Sequence, residues 1–190
     1  MYMTTLEAVA VVFGIVSVYL SSRQNIWSWP TAIVNVSLFS VLFFRSGLYS
    51  DTGLQIVYLI LSIYGWYQWL YGGAGHTKLR VTRTSGRTWA VLIVLGIVLW
   101  FTLSTITSRL PGTSLPKLDS ATTTISLIAQ WMMTRKLLEN WLLWVGVDVV
   151  YIGMFIYKDL HLTAINYGVY LVIAAFAYFS WKKSMKAEPA

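Results

Sequence analysis

The feature that most constrains this chain is a series of seven long apolar runs, separated by short segments that contain polar residues, glycine or proline. They cover residues 8–22, 26–44, 54–71, 89–106, 120–134, 140–157 and 162–181. A helix needs about 20 residues to cross about 30 Å of hydrocarbon, so seven crossings use roughly 140 residues. In a chain of 190 residues, only loops and tails are left over. The runs therefore predict an all-α polytopic membrane protein with seven transmembrane helices and no fused soluble domain.

Composition agrees with this class and excludes several others. The chain is 57% hydrophobic and 11% charged, whereas soluble domains average about 45–50% apolar and about 25% charged residues. It has no cysteine and two histidines, which excludes disulfides, iron–sulfur clusters and thiolate zinc sites and argues against a histidine metal cluster. We expect no cofactor and no metal. Because the net charge of +7 belongs to a chain of membrane spans, we expect the lipid bilayer as a partner and no nucleic acid.

The Lys and Arg residues are distributed unequally between the two sides of such a bundle. Seven crossings place successive loops on opposite sides, and ten of the 14 Lys and Arg residues fall on the side of the C-terminus. The other side carries Arg45, Arg109, Lys117 and Lys158. By the positive-inside rule, the C-terminus is predicted to be cytoplasmic and the N-terminus to be outside.

Aromatic residues cluster near the ends of the runs. Trp and Tyr are enriched where a membrane protein crosses the interface between lipid and water. We interpret the following residues as an interfacial belt or as packing residues: Trp27, Trp29, Trp66, Tyr67, Trp69, Tyr71, Trp141, Tyr157 and Trp181.

The chain also contains an internal repeat. A shift of 112 in the numbering, here called the repeat shift, places Leu48 on Leu160, Val57 on Val169, Tyr58 on Tyr170, Leu59 on Leu171 and Trp69 on Trp181. An Asn-x-x-x-Trp element recurs as well, with Asn25 and Trp29 repeated at Asn140 and Trp144, a shift of 115. Two units of one orientation, related by an axis along the membrane normal, are found in transporters that bind substrate between the units. Chance similarity between apolar sequences is the alternative.

The repeat divides the chain into four segments. Residues 1–71 are predicted to form a first three-helix bundle, and residues 119–181 a second, parallel one, in a 3+1+3 arrangement. Residues 72–118 contain a basic loop, a linker transmembrane helix and a following loop, and residues 182–190 form a basic cytoplasmic tail. The glycine-rich residues 72–78 lack the spacing of a nucleotide-binding loop and are predicted to be a flexible turn.

Asp148 is the only formally charged residue within the seven runs. A carboxylate in the middle of a transmembrane helix costs about 2.5–3.5 kcal/mol on insertion scales, so such a residue indicates a functional site or a buried partner. On a helix, Trp141, Trp144 and Asp148 stand at i, i+3 and i+7 and therefore share one stripe. Two π faces and one carboxylate suit a flat organic cation. The alternative is a neutral Asp that hydrogen-bonds to a neighbouring helix and only fixes packing.

Other runs carry polar residues on otherwise apolar faces. Gln55 and Tyr58 lie on one stripe of the third run, Gln130 lies on a polar stripe of the fifth run, and Asn35 lies within the second. Each alone is compatible with an interhelical hydrogen bond. Together they predict a hydrophilic pocket suited to a sugar or an amide, which a purely structural membrane subunit would not need. With no nucleotide-binding motif and no second intramembrane acid, facilitated diffusion is the simplest mechanism, and an embedded hydrolase lacks its acid or nucleophile–base pair.

The sequence also contains three distinctive short elements: a Tyr-Gly-Trp element at Tyr64, Gly65 and Trp66, a Glu-Asn-Trp-x-x-Trp element that begins at Glu139, and a stretch in the second run that begins at Asn35. In these elements the chain resembles the Pnu family of bacterial vitamin transporters. The resemblance implies a fold like that of SWEET sugar transporters and a place in the bacterial cytoplasmic (inner) membrane. It also implies uptake of nicotinamide riboside, a precursor of vitamin B3, by facilitated diffusion, followed by trapping by a separate cytoplasmic kinase.

The resemblance also implies the substrate contacts. By motif match they fall on Asn35, Gln55, Tyr58, Asn140, Trp141, Trp144 and the polar position at Asp148, to which the polar stripe of the fifth run adds Gln130. The chain departs from the resemblance at position 148, where it has Asp and the pattern of the nicotinamide riboside transporters is closer to Asn. Thiamine, which is also a cationic heteroaromatic vitamin, therefore remains an alternative substrate. The sequence leaves the oligomeric state open.

Overall fold

The computed structural model describes residues 5–109, 115–157 and 159–187. Within these ranges the chain forms seven α-helices, which are α1 (Thr5–Ser22), α2 (Ser28–Arg45), α3 (Tyr49–Tyr71), α4 (Gly86–Thr107), α5 (Pro116–Thr134), α6 (Asn140–Tyr157) and α7 (His161–Ala187). The same ranges contain no β-strand, and their single isolated bridge joins Thr82 to Leu137. The predicted all-α fold with seven helices is confirmed. Lys158, which entered the charge count, and residues 188–190 of the predicted tail lie outside the described residues.

The helix ends agree with the apolar runs except where a helix continues into water. Helix α6 has the predicted bounds, 140–157. Helix α3 begins at Tyr49, ahead of the predicted start at residue 54, and its first turn contains Asp51. Helix α7 continues past residue 181 to Ala187 and includes Lys182, Lys183 and Lys186. Hydropathy locates the hydrocarbon boundary, whereas backbone hydrogen bonding continues beyond it, so α3 and α7 are longer than their runs.

Four of the seven described helices are long and apolar enough to cross a membrane by length and composition alone. They are α1, α4, α6 and the part of α7 from Thr163 to Ala187. Helices α2, α3 and α5 are less apolar than these four. They contain Asn35, Gln55, Tyr58 and Gln130 of the predicted pocket. Such helices are stable in a bilayer when their polar faces turn toward the inside of a bundle.

The helices pack into a closed ring of six, with the seventh outside. In order around the ring they are α1, α2, α3, α5, α6 and α7, and α7 packs back against α1. Helix α4 packs chiefly on α5, and its buried residues are Leu92 and Gly96. Most of its other large apolar side chains, including Val94 and Phe101, are more than half exposed, whereas Leu99 and Leu103 are partly buried. In a bilayer this helix presents its surface to lipid.

The helix ends follow the repeat shift. Pairs of ends related by it are Ser22 and Thr134, Ser28 and Asn140, Arg45 and Tyr157, and Tyr49 and His161. The loops repeat too, since left-handed backbone occurs at Gln24 and Lys136 and again at Gly47 and Asp159. These equivalences are consistent with two similar three-helix units. The pairing at a shift of 115 is not the structural one, because Trp29, the second residue of α2, corresponds to Trp141, the second residue of α6.

The glycine-rich segment 72–78 between α3 and α4 forms a turn, and its predicted flexibility stays a prediction. It forms a short 3-10 turn at Ala74–His76, and the Gly73 N–H donates to the Thr77 carbonyl at 2.9 Å. The chain then runs along the α5–α6 loop, where the Thr82 N–H donates to the Lys136 carbonyl at 3.1 Å. Backbone hydrogen bonds at Thr82 thus connect the segment before α4 to a distant part of the chain, which local composition does not reveal.

Candidate substrate-binding cavity

The ring of six helices surrounds a cavity of about 1200 Å³. Every ring helix contributes to its lining. Seven of the eight predicted site residues line it, namely Asn35, Gln55, Tyr58, Gln130, Trp141, Trp144 and Asp148. The structure thus brings the polar residues of α2, α3, α5 and α6 into one chamber, as the sequence predicts for a hydrophilic pocket.

Asn140 is the predicted site residue that the structure does not place in the lining. It is the first residue of α6 and fully buried, and its Nδ2 donates to the Leu137 carbonyl at 2.6 Å. Its neighbour Glu139 bonds to the segment before α4. The Glu139 carboxylate accepts hydrogen bonds from the Thr84 N–H at 2.9 Å and the Thr84 hydroxyl at 2.7 Å. The first two residues of the Glu-Asn-Trp-x-x-Trp element thus hold the start of α6 and the segment before α4. The contact of Asn140 with substrate stays a prediction.

The cavity lining is strongly biased in charge. Its described residues include four carboxylates, those of Glu7, Asp51, Asp119 and Asp148, but no Lys, Arg or His. Asp148 is only 4% exposed and lies halfway along α6. Because carboxylates with no cation among the lining residues favour a positively charged occupant, the lining is electrostatically suited to an organic cation.

The other three carboxylates lie at one end of the cavity. Glu7, Asp51 and Asp119 occupy the first turns of α1, α3 and α5. These three helices run in the same direction, because successive helices alternate in direction across the membrane. We call this set of three residues the acidic mouth. Glu7 and Asp119 are also related by the repeat shift, so both halves of the repeat contribute to it.

Asn35 makes an interhelical hydrogen bond and also lines the cavity, while its contact with substrate stays a prediction. Its side-chain Nδ2 donates to the Ala10 carbonyl of α1 at 2.7 Å, so it makes the interhelical hydrogen bond, and it also lines the cavity. Gly14 leaves space beside it, since a Cβ atom at Gly14 would lie 2.9 Å from both the Asn35 Nδ2 and the Tyr170 hydroxyl. A small residue is therefore required where α1, α2 and α7 meet.

Sequence reasoning missed an aromatic wall on α6 and α7. The Tyr151 and Tyr167 rings lie 4.8 Å apart between centroids, and the Phe155 and Tyr167 rings lie 5.2 Å apart. All three residues line the cavity, together with Tyr170. Two signals were available. Tyr151 continues the Asp148 stripe at i+3, and Tyr170 is the repeat partner of Tyr58.

Four tryptophans close the end of the cavity opposite the acidic mouth. Their ring centroids are 5.2 Å apart for Trp29 and Trp69, 5.8 Å for Trp69 and Trp181, and 5.4 Å for Trp141 and Trp181. We call this set the tryptophan floor. Each ring is at most 3% exposed, so these four are packing residues and not members of an interfacial belt. Trp27, by contrast, is 65% exposed at the start of α2, as a belt residue would be.

The floor tryptophans form two equivalent pairs. Trp69 donates its Nε1–H to the Met133 carbonyl at 3.0 Å, and Trp181 donates to the Ser21 carbonyl at 3.1 Å. The two donors are related by the repeat shift, and so are the two acceptors. Trp29 and Trp141 form the other repeat pair, but among the described residues their Nε1–H groups have no hydrogen-bond partner. Only these two members of the floor line the cavity.

Trp29 depends on a glycine of the Tyr-Gly-Trp element. A Cβ atom at Gly65 would overlap the six-membered ring of Trp29. The glycine therefore lets the indole lie directly on the backbone of α3. The middle residue of the element is explained by packing, whereas Tyr64 and Trp66 are partly exposed on the outer face of α3.

Comparison with known proteins identifies relatives over nearly the whole chain. The protein-family profile described as nicotinamide mononucleotide transporter matches residues 4–183. The nicotinamide riboside transporter PnuC of Escherichia coli (strain K12) is 26% identical over 95% of this chain and 86% of its own length. The riboflavin/roseoflavin transporter RibM of Streptomyces davaonensis is 24% identical over 92% of this chain and 83% of its own length.

A solved structure is similar to this chain over nearly its whole length. The crystal structure of the vitamin B3 transporter PnuC superimposes with a TM-score of 0.76 and 25% sequence identity, covering 97% of this chain and 83% of that one. This chain thus shares its fold with a solved relative, and the family profile matches nearly its whole length. This chain therefore belongs to the nicotinamide mononucleotide transporter family of membrane transporters.

Proposed function

We propose that this protein takes up nicotinamide riboside across the bacterial inner membrane through the central cavity. The observation that carries the proposal is the charge of the lining, which contains four carboxylates but no Lys, Arg or His among the described residues. Nicotinamide riboside is a pyridinium cation with a carboxamide and a ribose, so it needs a negative site with hydrogen-bonding groups. Relatives named as nicotinamide riboside transporters support the same substrate.

The side chains on α6 suit the positively charged ring of such a substrate. Trp144 offers a π face and Asp148 a carboxylate on one wall of the cavity, and Trp141, which the sequence also predicts as a contact, is packed in the tryptophan floor on the same helix. A cation beside an aromatic face and a carboxylate is stabilised by both, most strongly where water is excluded. Asn35, Gln55, Tyr58 and Gln130 supply donors and acceptors for ribose hydroxyls.

The same charges argue against two other vitamin derivatives. A mononucleotide carries a phosphate, which the four carboxylates would repel without any lining cation to compensate. Riboflavin, which a relative is named for, is uncharged and would leave Asp148 buried without a counterion. Thiamine is cationic and satisfies the charge argument, so it is the appropriate competitor in a binding experiment.

We also propose a direction and an energy source. The acidic mouth faces outside and the tryptophan floor faces the cytoplasm, with the N-terminus outside, because ten of the 14 Lys and Arg residues fall on the C-terminal side. Residues 1–71 and 119–181 act as two bundles joined by the linker segment 72–118. The vitamin equilibrates down its gradient, and phosphorylation by a separate kinase traps it.

Reconstitution into liposomes tests the proposal. Purified protein should equilibrate labelled nicotinamide riboside across the bilayer without ATP, and excess thiamine should compete less well than unlabelled nicotinamide riboside. Empty liposomes and liposomes containing Asp148→Asn protein are the controls. Absence of saturable uptake would contradict the proposed substrate. Accumulation above the outside concentration that a protonophore abolishes would contradict facilitated diffusion.

A further inference from the structure

A groove lies on the outer surface of the helix bundle, separate from the central cavity. Its volume is about 340 Å³, and it is lined by α4, α5 and the first turn of α6. The lining includes Trp89, Ile93 and Trp100 of α4, Ile128 of α5 and Leu143 of α6. No Asp, Glu, Lys or Arg is among the described residues that line it. Because a polar solute would lose its hydrogen bonds to water there, the groove suits a hydrocarbon chain.

The groove is about as long as one leaflet of a bilayer is thick. Trp89 and Trp100 are the first and last residues of α4 in the lining, and the rise between them is about 16 Å. The hydrocarbon of one leaflet is about 15 Å thick. Midway between them, a Cβ atom at Gly96 would lie 3.0 Å from the Ile128 Cδ1, so close packing of α4 on α5 closes the bottom of the groove.

The end of the groove at Trp89 is basic. The segment that leads into α4 is held beside the start of α6 by hydrogen bonds at Thr82 and Thr84. Arg83 lies between these two residues, and Arg87 lies two residues before Trp89. Both arginine side chains are exposed, and in the part of the chain that the structure describes neither guanidinium has an ion-pair or hydrogen-bond partner. Two uncompensated positive charges therefore lie at the level of the lipid headgroups.

We propose that this groove binds an anionic phospholipid. One acyl chain lies along the groove, and Arg83 and Arg87 hold the phosphate. Basic residues beside a space between transmembrane helices favour acidic headgroups, and a guanidinium pairs with phosphate through two hydrogen bonds. In the orientation proposed above, the lipid belongs to the cytoplasmic leaflet. The lipid site is separate from the central cavity and does not depend on the proposed substrate.

Native mass spectrometry of the full-length protein tests the lipid site. Delipidated protein is incubated in detergent with equal amounts of phosphatidylglycerol and phosphatidylcholine that carry the same acyl chains, and the lipids that stay bound are counted. Wild-type protein should retain phosphatidylglycerol in preference to phosphatidylcholine. Arg83→Gln combined with Arg87→Gln should reduce this preference by about 10- to 30-fold, because two charged contacts with the anionic headgroup are lost.

Arg45→Gln combined with Arg109→Gln is the matched control. It removes the same charge from the opposite side of the bundle, so the preference should stay as in wild type. Thermal melting shows whether each variant is folded.

Ala121→Leu tests the groove itself. Ala121 lines the groove, so the larger side chain takes the space of the acyl chain and should reduce retention of phosphatidylglycerol although both arginines are intact. Equal retention of the two lipids by wild-type protein overturns the site, whatever the variants do. Loss with the arginine variant alone indicates attraction to the charged surface without a groove site, and loss with Ala121→Leu alone indicates a groove without headgroup selection. Either result overturns the proposal.

Discussion

At the scale of the residue, Asp148 is the side chain that bears most directly on what this protein binds. A buried carboxylate is costly unless something compensates it. The other acids of the lining cannot compensate it, and its wall offers aromatic rings, among them Trp144 and Tyr151. If it serves as a packing residue, its removal should change stability. If it is a substrate ligand, its removal should change affinity.

We therefore predict that Asp148→Asn weakens binding of nicotinamide riboside by about one to two orders of magnitude, because a charge-assisted contact of roughly 1.5–3 kcal/mol is lost. Calorimetry measures the affinity, and thermal melting in the same detergent shows whether the variant is folded. Asp159→Asn is the control, since it removes an exposed acid that lies outside the lining. Unchanged affinity in a stably folded Asp148→Asn protein would show that this carboxylate is not a ligand.

At the scale of the element, close contact between helices explains residues that a motif alone leaves ambiguous. The Trp29 ring lies on the backbone of α3 because residue 65 has no side chain. Asn140 and Glu139, although they belong to the most distinctive family element, bond to loop segments. Family elements in this protein thus include residues of helix packing and loop attachment besides the positions predicted to contact substrate.

We expect Gly65→Ala to lower the free energy of unfolding by about 1–3 kcal/mol, because the added methyl group overpacks the contact between α2 and α3. Thermal melting of purified protein measures the loss. Gly146→Ala is the matched control. It adds the same methyl group to α6, where a Cβ atom would meet nothing within 4 Å, and it should be neutral or slightly stabilising. Equal melting temperatures for the two variants would contradict this account of the Trp29 contact.

At the scale of the whole molecule, charge is segregated along the membrane normal. Three carboxylates form the acidic mouth, and most Lys and Arg residues lie beyond the tryptophan floor. Cations are attracted to such a mouth over distances comparable to the Debye length, about 8–10 Å at physiological salt. On the function proposed above, we expect a cationic vitamin to enter the cavity past these three carboxylates.

The acidic mouth should raise the rate at which the cavity captures a cationic substrate. We predict that Asp51→Asn combined with Asp119→Asn lowers kcat/KM for uptake by about 3- to 10-fold at low ionic strength and flattens its dependence on salt. Initial uptake rates in liposomes at several salt concentrations measure both effects. Asp159→Asn, which changes an exposed acid outside the lining, should leave the salt dependence as in wild type. The prediction fails if the double variant and wild type respond equally to salt.

Orientation is a second prediction for the molecule as a whole. A reporter fused after Ala190 should be active in the cytoplasm, and a tag before Met1 should be accessible from outside the cell, because the positive-inside rule orients the bundle. Reporter fusions and labelling with an impermeant reagent measure the two sides. Finding both termini on one side would contradict the odd number of crossings.

Much of the architecture follows from the sequence by itself. Apolar runs determine where helices form, because hydrocarbon requires every backbone group to be bonded within the segment. The repeat shift, visible in five residue pairs such as Tyr58 and Tyr170, is also the spacing of the helix ends. Asp148 and the polar stripes indicated a cavity because burying them in lipid is unfavourable, and seven of eight predicted residues line it.

Only the tertiary structure decided which surfaces meet. Helix α3 packs on α5 and α1 on α7, while α4 stays outside the ring, and no local pattern specifies those neighbours. Burial and hydrogen bonding depend on neighbours from distant segments. Trp27 and Trp29 look alike in sequence, yet one is exposed and the other is packed on Gly65. For the same reason the aromatic wall and the tryptophan floor, with two indole N–H groups that have no partner in the part of the chain that the structure describes, are evident only once helices from both halves of the chain are brought together.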